Sequence, residues 1–444
     1  FSGRYRKSIA MTKEDETFSS RISQESQETA DSIFSDEIYT RPTELKPPVK
    51  KALLNFRCKL QDAILGNYIY GRSYGHTQSL ILGSDLDDDS LVLLEDIRDI
   101  SLWGIPLLPS KGHEGTDMIL LKFLQAKDYK VNEAFEMLRD MLKWRKEFRT
   151  DTILDENISL HLKNVGYVDN TDRKGHPVCY LIYGALKERE MCSTFGSGEN
   201  CKEFLRWRVQ VMEKCVQELS FKPGGVNSIV QVTDLKNSPG PGTKELRIFG
   251  KKAYMLLEEY YPELTYKSIY VNVPFWYYAY HSVFTRLLSQ RAKSKFVFAR
   301  ASRVTKTLIK YISPENLPVQ YGGLKRENDN EFSPENPVLE LVVKPGCIDS
   351  IQVPVPEPGV SVVWDLTLVG SDMCYKEEFV PDDDCSYNIL IQKEKKFSGS
   401  VRNSFYISEP GRILLTIDNM TFKKKRVYYR LKIKPTVPMY ISLK

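Results

Sequence analysis

The chain has 444 residues, of which 41% are hydrophobic and 11% aromatic, enough to build the cores of roughly two to four domains. A formal net charge of only +5 and the lack of a basic-aromatic module set nucleic-acid binding aside, so partners must be sought in local patches. Eight cysteines (Cys58, Cys179, Cys192, Cys201, Cys215, Cys347, Cys374, Cys385) include no C-x-x-C pair, and several lie in apolar runs. They read as buried free thiols of a reducing compartment, not as a disulfide frame or a zinc site.

No stretch reaches the ~18 consecutive apolar residues of a membrane-spanning helix. No signal peptide is visible, and a start at Phe1 reads as a fragment whose true beginning is missing. Residues 1–45, with "KEDETFSSRISQESQETADS", carry too few apolar groups to offset ordering entropy and are expected to form a disordered tail. "VKKALLNFRCKLQDAIL" then has helical spacing and a basic face. The loop after it contains "DLDDDS", a solvated turn that lacks the spacing of a calcium loop. From Asp117 to Phe148 the pattern is helical, with Asn132 as the expected N-cap and Ala134, Leu138, Met141, Leu142 and Phe148 near one face. Residues 46–150 are therefore expected to be a helical region.

Over 155–325 strands and helices alternate. "VCYLIY", "SIVQVTD", "SIYVNV" and "KFVFA" are short apolar runs, with helical patterns at 200–219, 243–261 and 275–290 between them. This predicts an α/β domain around a largely buried sheet. The junction "YYPELTYKSIYVNVPF" (260–275) is its most informative stretch. Pro262 biases Tyr261 away from helical angles and ends the helix that carries Leu246, Phe249, Ala253, Leu256, Leu257 and Tyr260. The next strand is apolar on both faces, hence central, and Pro274 opens a new helix. That helix, "FWYYAYHSVFTRLLSQ", is apolar around nearly its whole circumference, so it sits deep in a core or lines something greasy.

From 335 to 436 seven strand-like runs follow, from "VLELVVK" to "RVYYRLKI", with turn residues every 8–12 positions: an antiparallel β-sandwich. No enzyme signature is found. The histidines His76, His113, His161, His176 and His281 lack metal spacing, there is no G-x-S-x-G elbow, and "PGPGTKE" is a loop before a helix, not a phosphate loop.

Taken in order, "LLKFLQAKDYKVNEAF…WRKEF", "TDRKGHPVCY", "VTDLK", "YYPE…SIYVNVPF", "SKFVF" and "ENLPVQYGG" resemble a CRAL-TRIO lipid-binding domain with its helical N-terminal extension. "PVPEPGVSVVWDLTLVGSDMCYKEEFVPDDDCSY" and "EPGRILLTIDNMTFKKKRVYYRLKI" resemble a GOLD domain, and the combination with "SLWGIPLL" is similar to plant patellins. The resemblance implies an apolar cavity floored by the sheet and covered by a gate helix, with Phe275, Trp276, Tyr277, Tyr280, Phe284, Leu287 and Leu288 on the gate. It implies a headgroup site at Lys122, Lys127, Glu263 and Lys295, and no cofactor other than a bound phospholipid of the phosphoinositide class. The basic residue usual after the Pro-Glu pair is Leu264 here, with Arg206 or Arg208 as substitutes. Val168, Cys179, Ile229 and Gln231 stand where choline-lipid binding needs tyrosines and hydroxyls, so that route is lost.

Each of these residues also has a plain reading. Lys127 and Lys295 serve equally as solvated lysines, Glu263 as a helix-end carboxylate, the gate aromatics as core. Lys423, Lys424, Lys425 and Arg426 form either a solvated hairpin turn or a patch for an anionic membrane, with "RAKSK" as a second basic spot. The family implies a cytoplasmic protein peripheral to the plasma membrane or cell plate, acting in phosphoinositide transfer and membrane trafficking. Its partners are then anionic membrane and a protein held by the GOLD domain, with oligomeric state left open. The alternatives are a trafficking adaptor with a vestigial pocket, and a carrier of a non-phospholipid hydrophobe.

Overall fold

The computed structural model describes residues 45–71, 98–158, 162, 165–186, 198–238, 244–275, 277 and 293–436. The expected tail, the "DLDDDS" loop, the "PGPG" loop and most of the expected gate helix lie outside them. Among the described residues no helix is long and apolar enough to cross a membrane.

Three helices open the fold: α1 (Pro47–Leu65), α2 (Glu114–Ala126) and α3 (Val131–Phe148). Proline in the first turn starts α1, where its missing N–H costs nothing. The His113 ring caps α2, accepting from the Gly115 N–H at 3.0 Å. Asn132 is not the N-cap of α3, as the sequence suggested; Lys130 is, and the Asn132 amide oxygen instead accepts from Lys59 Nζ at 2.7 Å, tying α3 to α1. Between α1 and α2, β1 (Ser101–Leu102) and β2 (Ile105–Pro106) pair around Trp103 and Gly104, both at positive φ. The Trp103 ring stacks on Phe221 at 5.3 Å between centroids. The helices are no separate body, because Phe56, Leu60, Phe123 and Leu138 share one core with Leu181, Trp207 and Ile229 of the α/β domain.

That domain is a five-stranded sheet in the order β3 (Gly166–Thr171), β4 (Pro177–Ile182), β5 (Ile229–Asp234), β6 (Thr265–Val271), β7 (Phe296–Phe298). The β3–β4 pair is antiparallel and the others parallel. Helices α4 (Gly198–Gln217) and α5 (Lys244–Tyr260) connect strands, and a short α6 (Val304–Leu308) follows β7. Because side chains alternate along a strand, the sheet has two distinct faces. Cys179, Leu181 and Ile229 meet the helical core, while Val178, Val230, Val232, Ile269 and Val297 pack on Leu308, Ile312 and Tyr321.

The C-terminal domain is antiparallel throughout, with six strands where seven runs were expected: β8 (Leu339–Val343), β9 (Ile348–Val355), β10 (Val360–Pro381), β11 (Ile389–Ile407), β12 (Gly411–Asp418), β13 (Lys425–Pro435). "YNILIQKEK" and "VRNSFYI" are one strand, β11. Gly370 (φ 120) and Gly399 (φ 101) do not end β10 and β11; they bend them where the register shifts between Leu368 and Met373. Glycine tolerates such angles, and a bulge re-aims a strand without terminating it. One half of β10 pairs with β13, the other with β12, and one core holds Trp364, Tyr375, Phe379 and Leu415. The buried Glu377 in it accepts from Trp364 Nε1 (3.0 Å), Tyr375 OH (2.9 Å) and Asn403 Nδ2 (2.7 Å).

The two domains are locked together. Tyr428 of β13 joins the core behind the α/β sheet, and Thr367 Oγ1 donates to the Gly322 carbonyl at 2.7 Å. Asp365, fully buried, accepts from Arg402 Nη2 (2.6 Å), Arg430 Nη2 (3.0 Å) and Arg326 Nη2 (3.1 Å). Asp329 chelates Arg402 at 2.7 and 2.6 Å, and Arg430 also donates to the Leu324 carbonyl at 2.8 Å. Burial alone would raise the Asp329 carboxyl, but the Arg402 guanidinium and the backbone N–H groups of Glu331 and Phe332 hold it well below its usual range.

Of the described cysteines, Cys179, Cys215 and Cys374 are buried free thiols, whereas Cys58, Cys347 and Cys385 are exposed. The expectation of burial therefore holds for half of them.

Candidate functional site

The junction read from the sequence is built around one strained residue. Tyr261 ends the helix beside Pro262, and Glu263 takes φ 55, in the left-handed region that costs a non-glycine residue on the order of 1 kcal/mol. Two lysines hold it. Lys122 Nζ, buried, reaches the Glu263 carbonyl at 3.0 Å and Asn227 Oδ1 at 3.1 Å; Lys295 Nζ pairs with the Glu263 carboxylate at 2.8 Å. Lys122 comes from α2, Asn227 from the loop before β5, and Lys295 from the turn into β7, so the joint is over-determined by three separate elements. Leu264 then turns into the core, and its carbonyl starts the β5–β6 pairing by accepting from the Ile229 N–H at 2.8 Å. β6 is interior, between β5 and β7; Ile269 and Val271 face the core, and Ser268 and Tyr270 face the opposite way.

On that opposite face lies a cavity of about 380 Å³, in the range of small-ligand pockets. Its floor is Gln231, Thr233, Ser268 and Tyr270, and its walls come from α4 and α5 and from the end of α2. Lys127, Glu263 and Lys295 all line it. Lys122 does not line it but holds the Glu263 backbone beside it. Arg208 also lines it, and Arg206 does not: Arg206 donates to Glu156 Oε2 at 2.6 Å and to the Phe148 carbonyl at 2.7 Å. Arg208 is 6% exposed, yet its one polar contact is a long 3.4 Å to Gln231 Oε1, and among the described residues no carboxylate pairs with it.

The electrostatics are close to balanced. Glu258 lines the same cavity with its carboxyl raised, first by burial and then by Glu263, against the opposing pull of Lys295. Burial, then Glu258, pushes the Tyr254 phenol up as well. Burial and Tyr183 push Tyr270 up to about 12. Glu258 and Tyr254 were not singled out from the sequence, and Arg208 was named only beside Arg206 as a substitute for a basic residue at 264; Met212, four residues after Arg208, faces the same cavity and so marks the inward face of α4.

Of the gate residues, Phe275 is 71% exposed and does not line the described cavity. The Tyr277 ring packs at a tilt against Tyr270 (5.6 Å between centroids) and Phe298 (6.3 Å), which puts the start of this segment on the cavity face of the sheet. Trp276, Tyr280, Phe284, Leu287 and Leu288 lie outside the described residues. Lys423, Lys424, Lys425 and Arg426 stand at the β12–β13 turn and line a much larger cleft, of about 1530 Å³, between the two domains.

Comparison with known proteins agrees with this architecture. Residues 88–140 match the family described as CRAL/TRIO, N-terminal domain, residues 162–323 the CRAL/TRIO domain, and residues 344–425 the Patellin-1-like, C-terminal GOLD domain. The chain is 50% identical to Patellin-4 of Arabidopsis thaliana over 340 residues, covering 76% of this chain and 62% of that protein. It is 43% identical to Patellin-6 of the same plant over 333 residues, covering 74% and 80%. Against the phosphatidylinositol transfer protein SFH5 of Candida albicans it is 30% identical over 225 residues, covering 46% and 66%. A crystal structure of Sfh5 superposes with a TM-score of 0.44 at 22% identity, covering 58% of this chain and 84% of that one. The chain thus spans less than two thirds of the length of some relatives, such as Patellin-4. With its helical extension, its CRAL-TRIO domain and a GOLD domain of patellin type in one order, the chain belongs to the patellin family.

Proposed function

We propose that this protein binds a phospholipid with an anionic headgroup, of the phosphoinositide class, and exchanges it with membranes from the CRAL-TRIO cavity. The observation that carries this reading is Arg208. Arg208, 6% exposed as a residue, lines the cavity with one long neutral contact, to Gln231, and no carboxylate partner among the described residues, so an anion in the cavity would complete it. Lys127 and Lys295 stand on the same cavity, and Lys295 is released for a phosphate when its pair with Glu263 opens. Acyl chains contribute ~0.8 kcal/mol per buried methylene in bilayer and pocket alike, so exchange is near balance and the headgroup decides selectivity. Lys122 positions the Glu263 joint and so belongs to the site without touching the lipid.

On this reading the protein is not an enzyme and works at the cytoplasmic surface of an anionic membrane, in trafficking to the plasma membrane or cell plate. The basic β12–β13 turn contacts the leaflet, and the GOLD domain is also the surface for a protein partner. Co-sedimentation with phosphatidylcholine vesicles, with and without phosphatidylinositol 4-phosphate, tests it, together with mass spectrometry of lipid carried by the purified chain. Selective binding and carried lipid, both lost in Arg208→Met and in the Lys127→Ala, Lys295→Ala double variant, are expected. A chain that carries and exchanges no lipid returns the reading to an adaptor, and carriage of a sterol or tocopherol returns it to a carrier of a non-phospholipid hydrophobe.

A further inference from the structure

The cleft between the domains has two basic walls. Lys306 and Lys310 come from α6 and the turn after it; Lys423, Lys424 and Lys425 come from the β12–β13 turn of the GOLD domain. The acids that line it, Asp234, Glu315 and Glu340, are fewer than the lysines. Asp234 is engaged by Asn272 Nδ2 (2.7 Å) and the Lys236 N–H (2.8 Å), and Glu340 by Arg426 (3.3 Å). Among the described residues no carboxylate lies within salt-bridge distance of Lys306, Lys310, Lys423 or Lys424. A solvated lysine face on one domain would spread its charges apart. Here the Asp365–Asp329–arginine lock and the buried Tyr428 bring like charges from two domains to face one another. The Lys306 ammonium reports the consequence. It is lowered from its ordinary value by burial first, then by Arg303 and Lys310 of its own domain and Lys423 and Lys425 of the other.

The turn itself is rigid. Asn419 Nδ2 donates to the carbonyls of Val343 (3.1 Å), Lys344 (3.0 Å) and Lys423 (2.9 Å), stapling it to the β8 end. On it Phe422 is 99% exposed and Met420 62% exposed, directly beside the lysines in the chain. Two large apolar side chains held in water on a fixed turn suit the acyl boundary of a leaflet, as in interfacial anchors.

We propose that this interdomain cleft is a second anion site, separate from the CRAL-TRIO cavity, which takes a polyphosphorylated headgroup between Lys306 and Lys310 on one wall and Lys423 and Lys424 on the other while Phe422 enters the leaflet. It deepens the reading of the basic turn as a membrane contact and needs no lipid in the cavity. The shared chemistry is a cluster of phosphates, carried either by a lipid or by a free inositol polyphosphate. Ammonium groups serve such clusters as point charges. Binding would also raise the Lys306 pKa back toward its ordinary value, so protons are taken up where the pH lies near the folded value.

The test uses the whole chain and two probes: inositol hexakisphosphate by calorimetry in two buffers of different ionisation enthalpy, and phosphatidylcholine vesicles with phosphatidylinositol 4,5-bisphosphate. Lys306→Gln with Lys310→Gln, and separately Lys423→Gln with Lys424→Gln, should each weaken binding at least tenfold. About fivefold per lysine is what ~1 kcal/mol per basic residue near a membrane implies. Removing mutually repelling charges should leave thermal stability unchanged or raised, so loss by misfolding is distinguishable. Phe422→Ser should weaken vesicle binding only. Hexakisphosphate binding that survives Phe422→Ser with unchanged vesicle binding would assign the site to a free polyphosphate. Lys127→Ala with Lys295→Ala should leave hexakisphosphate binding intact, which separates failure of this site from failure of the cavity. If the α6 pair has no effect on either probe while the turn pair does, the turn is a flat patch and the composite site is wrong. Binding of neither probe also overturns it.

Discussion

Two basic regions of this protein are built on opposite electrostatic plans. In the CRAL-TRIO cavity one cation comes with its own counterion and acids share the wall: Lys295 holds Glu263 at 2.8 Å, and Glu258 lies beside them. In the interdomain cleft Lys306, Lys310, Lys423 and Lys424 face one another with no carboxylate within salt-bridge distance of them among the described residues. The first arrangement is preorganised and nearly neutral, so an anion must displace a resident carboxylate and gains specificity from geometry. The second stores repulsion that any multivalent anion relieves, so it gains affinity with little selectivity and strong dependence on salt. The proposed function, in which the protein finds a membrane and then chooses one lipid from it, has use for both.

The comparison breaks most sharply at the lock between the domains. Asp365→Ala leaves Arg402 and Arg430 sharing Asp329 and takes from Arg326 its Asp365 partner, and removing one partner of a buried ionic network typically costs ~3–5 kcal/mol. Thermal denaturation should show that loss, and the cleft should lose its anion affinity while lipid carriage by the cavity persists. Acid should act in the same place. The Asp329 carboxyl is held below its unfolded value of 3.8, so its contribution is present above that value and disappears as pH falls through the folded one. Calorimetric melts between pH 5 and 2 should therefore show the GOLD interface loosening first, a window of roughly the unfolded carboxylate pKa downward.

A smaller effect sharpens the cavity side. Arg208→Met keeps volume and removes the buried charge, so phosphoinositide binding should fall by roughly ten- to a hundredfold, as loss of hydrogen bonds to a charged group implies. The apo chain should become no less stable, since Arg208 has no carboxylate partner among the described residues to lose. A clear drop in the melting temperature of the apo variant would mean that Arg208 is a structural group, and the assignment of the headgroup pocket would go with it.

How much of this was legible in the sequence depends on the range of the interaction. Pro262 and Pro274 marked the junction because proline acts on its immediate neighbour. The alternation of faces on β4 to β6, and the convergence of Lys127, Glu263 and Lys295 on one cavity, follow an order of motifs that the chain carries openly. Asn132 misled because lysine at 130 with extended angles begins α3 earlier, leaving the asparagine free to reach α1. Gly399 misled because a glycine that bends a strand and one that ends it look alike from the sequence alone. The Arg430–Asp365 pair spans 65 residues, and Lys306 meets Lys423 only once the domains have docked. No periodicity within one element encodes such contacts, so the cleft could not be read before the fold was known.

The smallest predicted effects are those of pH, and they separate the two sites by the direction in which stability moves. In the cavity the Glu258 carboxyl is raised above 4.5, so its stabilising contribution is complete below that value and is lost as pH rises through the folded pKa. In the cleft the Lys306 ammonium is lowered from 10.5, so stability rises as pH climbs from the folded value toward 10.5. Melting temperature against pH should thus fall slightly in mild acid and rise slightly in base, with Glu258→Gln flattening the first slope and Lys306→Gln the second. An anion favours the protonated form at both places, so binding at either should be accompanied by proton uptake and weaken as pH rises. Salt then tells them apart. Raising ionic strength from about 0.05 to 0.5 M should reduce hexakisphosphate binding in the cleft steeply and lipid binding in the buried cavity little, because partly buried pairs are screened less than facing surface charges. Equal salt slopes at the two sites would mean that the cavity, too, is an open electrostatic surface.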